Sequence, residues 1–354
     1  MIIINDFFKR HIEAVSNQME AVLNAVGGKI ITAYRFLGQK ALQEEDIKDN
    51  IFVYAPEDLD KEIYHEVMTS SDPDIFVFEE EPCEFKVNTF NKSGKNVYVT
   101  MYRKPYPEYI EHLKGYKNLK KVFVELESHR QILLSAGFSE SQVVVAPTPA
   151  KIPVCKNKKT YDPENINLVF ASWNNTDEID TCYHRGLLYI VDCMEKFPNL
   201  SLTIVLRDNR TKFFKDYVRK KGVDTSRIKL LKISNTQELI SAFDNSDFVV
   251  YFLQMQIVKD VPNSLIDGMS HGKPILMTDV ISFADYVTQN KIGLVFKPAD
   301  IERNFKLTPE QYELLSNNAY KIAKMHTLEN YCNIIKQECR RNKYEMGDNK
   351  SLGD

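Results

Sequence analysis

The strongest constraint on the fold of this 354-residue chain is an alternation of short apolar runs with longer segments of helical period. The apolar runs predict buried strands, and the segments between them are long enough to cross over a sheet. This pattern is typical of a parallel sheet with helices on both faces. The predicted strands fall in two sets: residues 2–4, 29–34, 51–54, 75–78, 97–101, 122–124 and 143–146, then residues 168–171, 202–206, 228–231, 248–252 and 275–278.

A segment without either period separates the two sets. Residues 147–165 contain four prolines and a lysine cluster that includes Lys156 and Lys159, a composition typical of an interdomain linker. We therefore predict a doubly wound, Rossmann-like domain over residues 1–150, a linker over 151–165 and a second such domain over 166–307. C-terminal helices over 308–341 and a flexible tail over 342–354 complete the predicted organisation.

Composition and charge exclude several classes of function. The net charge of −3 and the pI of about 6.2 provide no global basic field for nucleic acid, and the lysine cluster indicates solvated linker charge or a site for an anionic partner. No apolar run approaches the roughly 20 residues of a membrane-spanning helix. The six cysteines form no C-x-x-C pair and the histidines no i,i+4 pair, so we predict neither a metal site nor disulfides. We expect a cytoplasmic protein whose contact with a membrane, if any, is peripheral.

Residues 261–279 carry the most specific motif of the chain. A helix that begins at Asn263 and Ser264 and continues through Leu265 would offer backbone N–H groups and its positive dipole end to a diphosphate. Gly272 can then adopt a left-handed turn, and Pro274 fixes the approach to a buried strand. This loop, helix and Gly-x-Pro turn resemble the donor-site signature of the family-4 (GT4) retaining glycosyltransferases.

Two other stretches are similar to the same family, so the resemblance covers nearly the whole chain. They are the run VVVAPTPA at residues 143–150 and the run GLVFKP at residues 293–298. The resemblance implies an α/β protein of the GT-B fold, with two doubly wound, Rossmann-like domains facing a central cleft. It implies transfer of a sugar, with retention, from a nucleoside-diphosphate sugar to a hydroxyl of a glycan, lipid-linked or other acceptor. It implies no metal and no further cofactor.

The resemblance assigns contacts with the donor to the second domain. Asp267 stands where the family has the glutamate that binds the ribose, although its side chain is one methylene shorter. Arg185 matches one of two basic residues that hold the diphosphate. The position of the other falls at Ser172 and Trp173, where this chain has no arginine. Trp173 either contacts the ligand or seals the core.

The chain departs from the family pattern at the residue that touches the transferred sugar, where the family has a glutamate and this chain has Lys259. Asp260 takes that role if the loop shifts by one residue. Alternatively, Lys259 meets an acidic donor sugar or the leaving phosphate. Each of these roles remains open at the level of sequence.

The first domain also departs from the family pattern. His11 lies where the family has a glycine-rich turn, and the three glutamates at 79–81 replace a histidine near the end of a central strand. Glu79 and Glu80 are candidates for binding sugar hydroxyls, with Glu79 also a candidate base, or they belong to a solvated loop. Tyr102 and Arg103 end the next strand and are expected on the same acceptor side.

Two alternatives follow from these departures. One is an inverting GT-B transferase that uses a carboxylate of the 79–81 run as its base. The other is a catalytically inactive GT-B module that binds a partner or a nucleotide, which Lys259 and the missing glycines favour. The stereochemistry of the product separates retention from inversion, and a complete lack of donor hydrolysis would favour the inactive module.

Overall fold

The computed structural model describes residues 1–6, 14–33, 50–156, 159–171, 179–206, 211–232, 235–256, 259–300 and 306–345. These residues form two compact units. The first unit consists of Met1–Pro149 and the chain from Leu328 onward, and the second is Ala150–Thr327. Within the described residues, no helix combines the length and the apolar character needed to cross a membrane.

The first unit is built on a parallel sheet. Its strands are β1 (Ile2–Ile4), β2 (Lys29–Ala33), β3 (Ile51–Tyr54), β4 (Asp74–Glu79), β5 (Asn96–Met101), β6 (Leu119–Val124) and β7 (Val143–Val145). The strand order is β3-β2-β1-β4-β5-β6-β7. Its helices are α1 (Ala14–Val26), α2 (Leu59–Thr69), α3 (Glu84–Ser93), α4 (Pro107–Lys114), α5 (Glu127–Ser135) and α13 (Leu328–Glu345).

Each face of this sheet buries its own hydrophobic cluster, as the two-residue period of a strand requires. On β4, Val77 packs into one cluster and Phe76 into the other. All six residues of β4 are buried, which explains why the strand is a continuous apolar run rather than an alternating one.

The helix α13 covers part of one face of this sheet. It packs on α1, and its Tyr331 and Ile335 join the cluster that contains Met19 and Val22 of α1. The two C-terminal helices, which the sequence grouped together at 308–341, therefore belong to different units.

The second unit contains another parallel sheet. Its strands are β8 (Ile166–Phe170), β9 (Leu200–Leu206), β10 (Ile228–Lys232), β11 (Phe248–Tyr251), β12 (Ile275–Thr278) and β13 (Gly293–Phe296), in the order β10-β9-β8-β11-β12-β13. Its helices are α6 (Ile179–His184), α7 (Leu187–Lys196), α8 (Lys212–Lys220), α9 (Thr236–Asp244), α10 (Asn263–Ser270), α11 (Phe283–Asn290) and α12 (Pro309–Ala323), with single 3-10 turns at Thr225–Arg227 and Pro298–Asp300.

The strand order changes direction once in each sheet, between β1 and β4 and between β8 and β11. This reversal defines a doubly wound sheet, and the chains that leave the two strands at such a point diverge to leave a crevice for ligands. The predicted fold class, α/β with two Rossmann-like parallel sheets, is confirmed.

The chain that enters the second unit is held by hydrogen bonds within that unit. The Ala150 N–H donates to the His326 carbonyl at 2.7 Å, and the Cys155 N–H donates to the Ser270 carbonyl at 2.9 Å. The beginning of the stretch predicted as a linker therefore packs against the second unit.

Candidate functional site

The carboxyl edge of the second sheet, at the reversal between β8 and β11, is the candidate site. The chain leaves β11 through Phe252 and Leu253, both buried, and continues to α10. The start of α7 lies against this exit, and the chain from it leads to the N-terminus of α10. Ligands of doubly wound sheets bind at this point because both strands end there and helix N-termini follow.

Gly186 brings the start of α7 against the exit from β11. It has φ 79°, and a Cβ atom added there would lie 1.9 Å from the Phe252 carbonyl oxygen. Only glycine permits both the backbone conformation and this close approach. The Gln254 N–H also donates to the His184 carbonyl at 2.9 Å. The backbone of Arg185, between these two contacts, is therefore fixed at the reversal point of the sheet.

The start of α10 has a feature that suits an anionic ligand. The residue before the helix is Pro262, which provides no side-chain cap for the first turn. The first N–H groups of a helix have no acceptor within its own backbone, and the helix dipole places partial positive charge there. Asn263, Ser264 and Leu265, predicted to bind the donor, form this first turn, in which the Leu265 N–H already donates to the Pro262 carbonyl at 3.0 Å.

The loop before α10 contains the two candidates for the position that contacts the sugar. Asp260 is fully buried and accepts a hydrogen bond from the Gln256 side chain at 2.8 Å. This contact joins Asp260 to Gln256 in the chain that follows β11. Lys259 is half-buried beside it.

Asp267, predicted to bind the ribose, lies on α10 and is 3% exposed. Its Oδ1 accepts a hydrogen bond from the Lys151 N–H at 2.7 Å, and the Ile152 N–H also donates to the carboxylate. Burial raises the pKa of Asp267 above its ordinary value, against the opposing effects of the Lys151 charge and these N–H groups. In this geometry the carboxylate anchors the chain that enters the second unit.

Glu79, the candidate base of the first unit, lies at the end of β4 with its side chain fully buried. Its carboxylate accepts hydrogen bonds from the Tyr116 hydroxyl at 2.6 Å and the Tyr109 hydroxyl at 3.3 Å, and lies 3.0 Å from His112 Nε2. Burial, and then the Glu79 charge, raise the pKa of both tyrosines well above the ordinary value. The carboxylate thus contacts three side chains of the unit's interior.

The other acceptor-side candidates divide between core and surface. Tyr102 is buried, and its ring stacks on Phe78 with centroids 6.1 Å apart. Glu80 is half-buried. Arg103 is paired with Glu81, which also accepts a hydrogen bond from the Tyr106 hydroxyl at 2.8 Å.

Sequence reasoning missed one ion pair at the reversal point of the first sheet. Lys86 of α3 is 2% exposed, and its Nζ lies 2.7 Å from Asp6 Oδ1, just after β1. Burial opposes the charged form, but the carboxylates of Asp6 and Glu79 outweigh it and raise the pKa of Lys86. The signal available in the sequence was an aspartate directly after the first strand.

Three predicted site residues, His11, Ser172 and Trp173, lie outside the described residues. Within the described part of the chain, no group of three or more histidine, cysteine or carboxylate side chains is arranged to hold a metal ion. Arg185 lies at the exit from β11, and the chain from this exit leads to the first turn of α10, while Asp267 and Glu79 are engaged in other contacts.

Comparison of the sequence with protein-family models gives no match. Comparison with curated proteins also gives none.

Comparison with solved structures gives many matches. Anabaena Alr3699/HepE in complex with UDP-glucose is 12% identical, with a TM-score of 0.69 over 97% of this chain and 99% of that one. The α,α-trehalose 6-phosphate synthase from Burkholderia multivorans is 9% identical, with a TM-score of 0.66 over 100% and 98%. WaaG, a glycosyltransferase involved in lipopolysaccharide biosynthesis, is 12% identical, with a TM-score of 0.63 over 95% and 99%.

At these identities the similarity establishes the fold. Each of the three structures aligns with at least 95% of this chain, which includes both doubly wound sheets. The chain therefore has the fold of the GT-B glycosyltransferases.

Proposed function

We propose that this chain is a glycosyltransferase that moves a sugar from a nucleoside-diphosphate sugar to a hydroxyl of a glycan, lipid-linked or similar acceptor. The observation that carries the proposal is the placement of Arg185 and the start of α7 against the exit from β11, which leads to the uncapped first turn of α10. A diphosphate needs a cation and backbone donors in one place, and this edge supplies both. The complexes of HepE with UDP-glucose and with UDP support the same class of ligand.

In this proposal the second unit stabilises the charge that develops on the leaving diphosphate. Arg185 offers charge-assisted hydrogen bonds, and the first turn of α10 offers N–H groups that are already oriented. Removal of one such donor at an anionic transition state typically costs about 2.7–4 kcal/mol. Arg185 is therefore the residue whose loss would cost most.

The proposal assigns retention, with the leaving phosphate as the acceptor of the proton from the incoming hydroxyl. Glu79, the carboxylate considered for an inverting mechanism, is occupied by Tyr109, His112 and Tyr116. Lys259 is proposed to contact the leaving phosphate or an acidic donor sugar, because a cation suits either. Asp260 supports this loop through Gln256.

The test is thermal stability in the presence of UDP, GDP, CDP, ADP and dTDP and their sugar forms. A specific nucleotide at about 100 times its dissociation constant should stabilise the fold by roughly 2.7 kcal/mol. Arg185→Ala should abolish this shift. Arg219→Ala, which removes an exposed arginine paired with Asp216 on α8, is the matched control and should retain it.

Two results would overturn the proposal. One is the absence of a shift with every nucleotide. The other is an equal shift in Arg185→Ala and Arg219→Ala, which would place the nucleotide away from this edge. A nucleotide shift that depends on Arg185, without hydrolysis or transfer of any donor sugar, would instead support the inactive binding module that Lys259 favours.

A further inference from the structure

The second unit contains a cavity of about 360 Å³ at the opposite edge of its sheet from the candidate donor site. Lys273 lies just before β12, and Asp247 just before β11, so this cavity lies at the amino ends of the strands. The four residues of β11 separate the two edges by roughly 13 Å at about 3.3 Å per residue. We call it the Lys273 cavity, after the lysine in its wall.

The walls of the Lys273 cavity come from three parts of the unit. The chain entering the unit contributes Lys156, Lys159, Thr160 and Tyr161, the turn after α10 contributes Gly272 and Lys273, and α12 contributes Pro309, Tyr312, Glu313 and Ser316. Gly272 has φ 68°, and a Cβ atom there would lie 3.2 Å from Lys156 Cγ. The absence of that atom lets the Lys156 stem lie beside the turn that carries Lys273.

Two of the three lysines are paired with carboxylates. Lys156 Nζ lies 2.7 Å from Glu313 Oε1, and Lys159 Nζ lies 2.8 Å from Asp247 Oδ1. These pairs fix the two side chains and satisfy two of the positive charges.

Lys273 is different, because its charge has no carboxylate in contact with it among the described residues. It is 2% exposed, and its Nζ donates a long hydrogen bond of 3.3 Å to the Asp244 carbonyl. The Asp244 carboxylate is directed to His271, with Oδ1 2.7 Å from Nδ1. A buried ammonium without a contacting anion is costly, and an oxyanion that entered the cavity would offset that cost.

We propose that the Lys273 cavity binds an oxyanion group, such as the phosphate of a small metabolite, with Lys273 as the principal cation. A volume of about 360 Å³ suits a small molecule, because ligand pockets range from about 300 to 1,000 Å³. The stacked rings of Tyr161 and Tyr312, whose centroids are 4.3 Å apart, give the cavity a rigid aromatic wall. The lysine cluster of the linker thus contributes to a specific anion site.

The electrostatics of the cavity make this binding dependent on pH. Burial, opposed by Asp247, lowers the pKa of Lys273 to about 8, and the neighbouring Lys159 charge lowers it further while Asp244 raises it. Lys273 is therefore charged below about pH 8 and loses its charge above it. Other titratable or charged groups surround it. They are His271, which is paired with Asp244, the hydroxyls of Tyr161 and Tyr312, and the Lys156–Glu313 ion pair.

The first experiment titrates sulfate into the full chain by calorimetry, since the sulfate charge is constant between pH 6 and 9. Sulfate should bind at pH 7 and weaken toward pH 9. Lys273→Met should reduce the affinity at pH 7 by at least about tenfold, the loss expected for one charge-assisted hydrogen bond. Lys215→Met, at an exposed position of α8, is the control and should leave the affinity unchanged.

A second pair of variants separates loss of the site from loss of the fold. Lys273→Arg keeps its charge to high pH, so its sulfate affinity should be nearly constant from pH 7 to 9; a persisting pH slope would mean that another group, such as His271, controls binding. Lys156→Gln, which breaks a pair with the exposed Glu313, should weaken sulfate with little change in the thermal midpoint.

A vesicle-binding experiment distinguishes a lipid headgroup from a soluble metabolite as the source of the phosphate group. Cosedimentation with phosphatidic acid vesicles, lost in Lys273→Met, would identify a lipid headgroup. Sulfate binding without vesicle binding would identify a soluble metabolite. Equal sulfate affinities in the wild type, Lys273→Met and Lys215→Met would overturn the proposal.

Discussion

Replacement of Gly186 by alanine tests whether the close approach of α7 to β11 organises the donor site. Gly186 has φ 79°, and a left-handed conformation costs a residue with a Cβ atom about 1–2 kcal/mol. The new Cβ would also lie 1.9 Å from the Phe252 carbonyl oxygen and 2.3 Å from its carbonyl carbon. Because both contacts are with backbone, relief requires a shift of α7, for which overpacking costs of about 1–3 kcal/mol are typical. The sum predicts a destabilisation of about 2–5 kcal/mol.

Gly222→Ala is the matched control, because Gly222 lies in the same unit with φ 67° and a Cβ atom there would have nothing within 4 Å. Gly222→Ala should lose only the free energy of the left-handed backbone conformation, about 1–2 kcal/mol. Urea unfolding followed by the fluorescence of Trp173, the only tryptophan of the chain, measures both variants. Nucleotide titration supplies the second readout.

The two variants should differ in function as well as in stability. A shift at the start of α7 moves Arg185, so Gly186→Ala should weaken nucleotide binding by about tenfold or more while Gly222→Ala leaves it unchanged. Equal stability and equal nucleotide affinity in the two variants would refute the reasoning. So would a destabilised Gly186→Ala that binds nucleotide normally.

Two carboxylates give further predictions. Because burial raises the pKa of Asp267, the folded state binds more protons, and the free energy of unfolding should fall as the pH rises above the ordinary value of 3.8. Asp267→Asn, which can still accept from the Lys151 N–H, should lose this dependence in urea unfolding at pH 4–7; an unchanged slope would assign it to another group. Asp6→Ala should destabilise the protein by about 1.5 kcal/mol because it removes the hydrogen-bonded partner of the buried Lys86. Asp216→Ala, which breaks an exposed pair, should have no measurable effect, and equal midpoints for these two variants would contradict the role of Asp6.

The fold could be predicted largely from local sequence. The apolar runs at 75–78, 122–124 and 248–252 become strands because their residues are buried on both sides. The run at Gly293–Phe296 is not among the predicted strands, yet it forms the edge strand β13, whose residues are only half-buried. Its weak apolar pattern reflects that edge position.

The candidate site could be predicted only in part. The helix start at Asn263 follows from a short motif, because a strand, a loop and a helix N-terminus are local features, whereas Arg185 was singled out only by the family resemblance. The contact of Asp267 with Lys151, 116 residues apart, depends on tertiary packing. The same holds for the burial of Glu79 among residues of α4 and its end, 30 to 37 positions later. Side-chain spacing along the chain contains no information on such contacts.

Because α13 packs in the first unit, that unit can complete its fold only after the second unit has been synthesised. The α1 side of the first sheet, with Met19 and Val22, is complete only after Tyr331 and Ile335 have left the ribosome. At about 5–20 residues per second, the 178 residues of the second unit take roughly 10–40 s. During that interval the nascent first unit exposes an apolar surface that a chaperone or a like chain can bind. The second unit is therefore synthesised before the last helix of the first unit, α13, is available to pack.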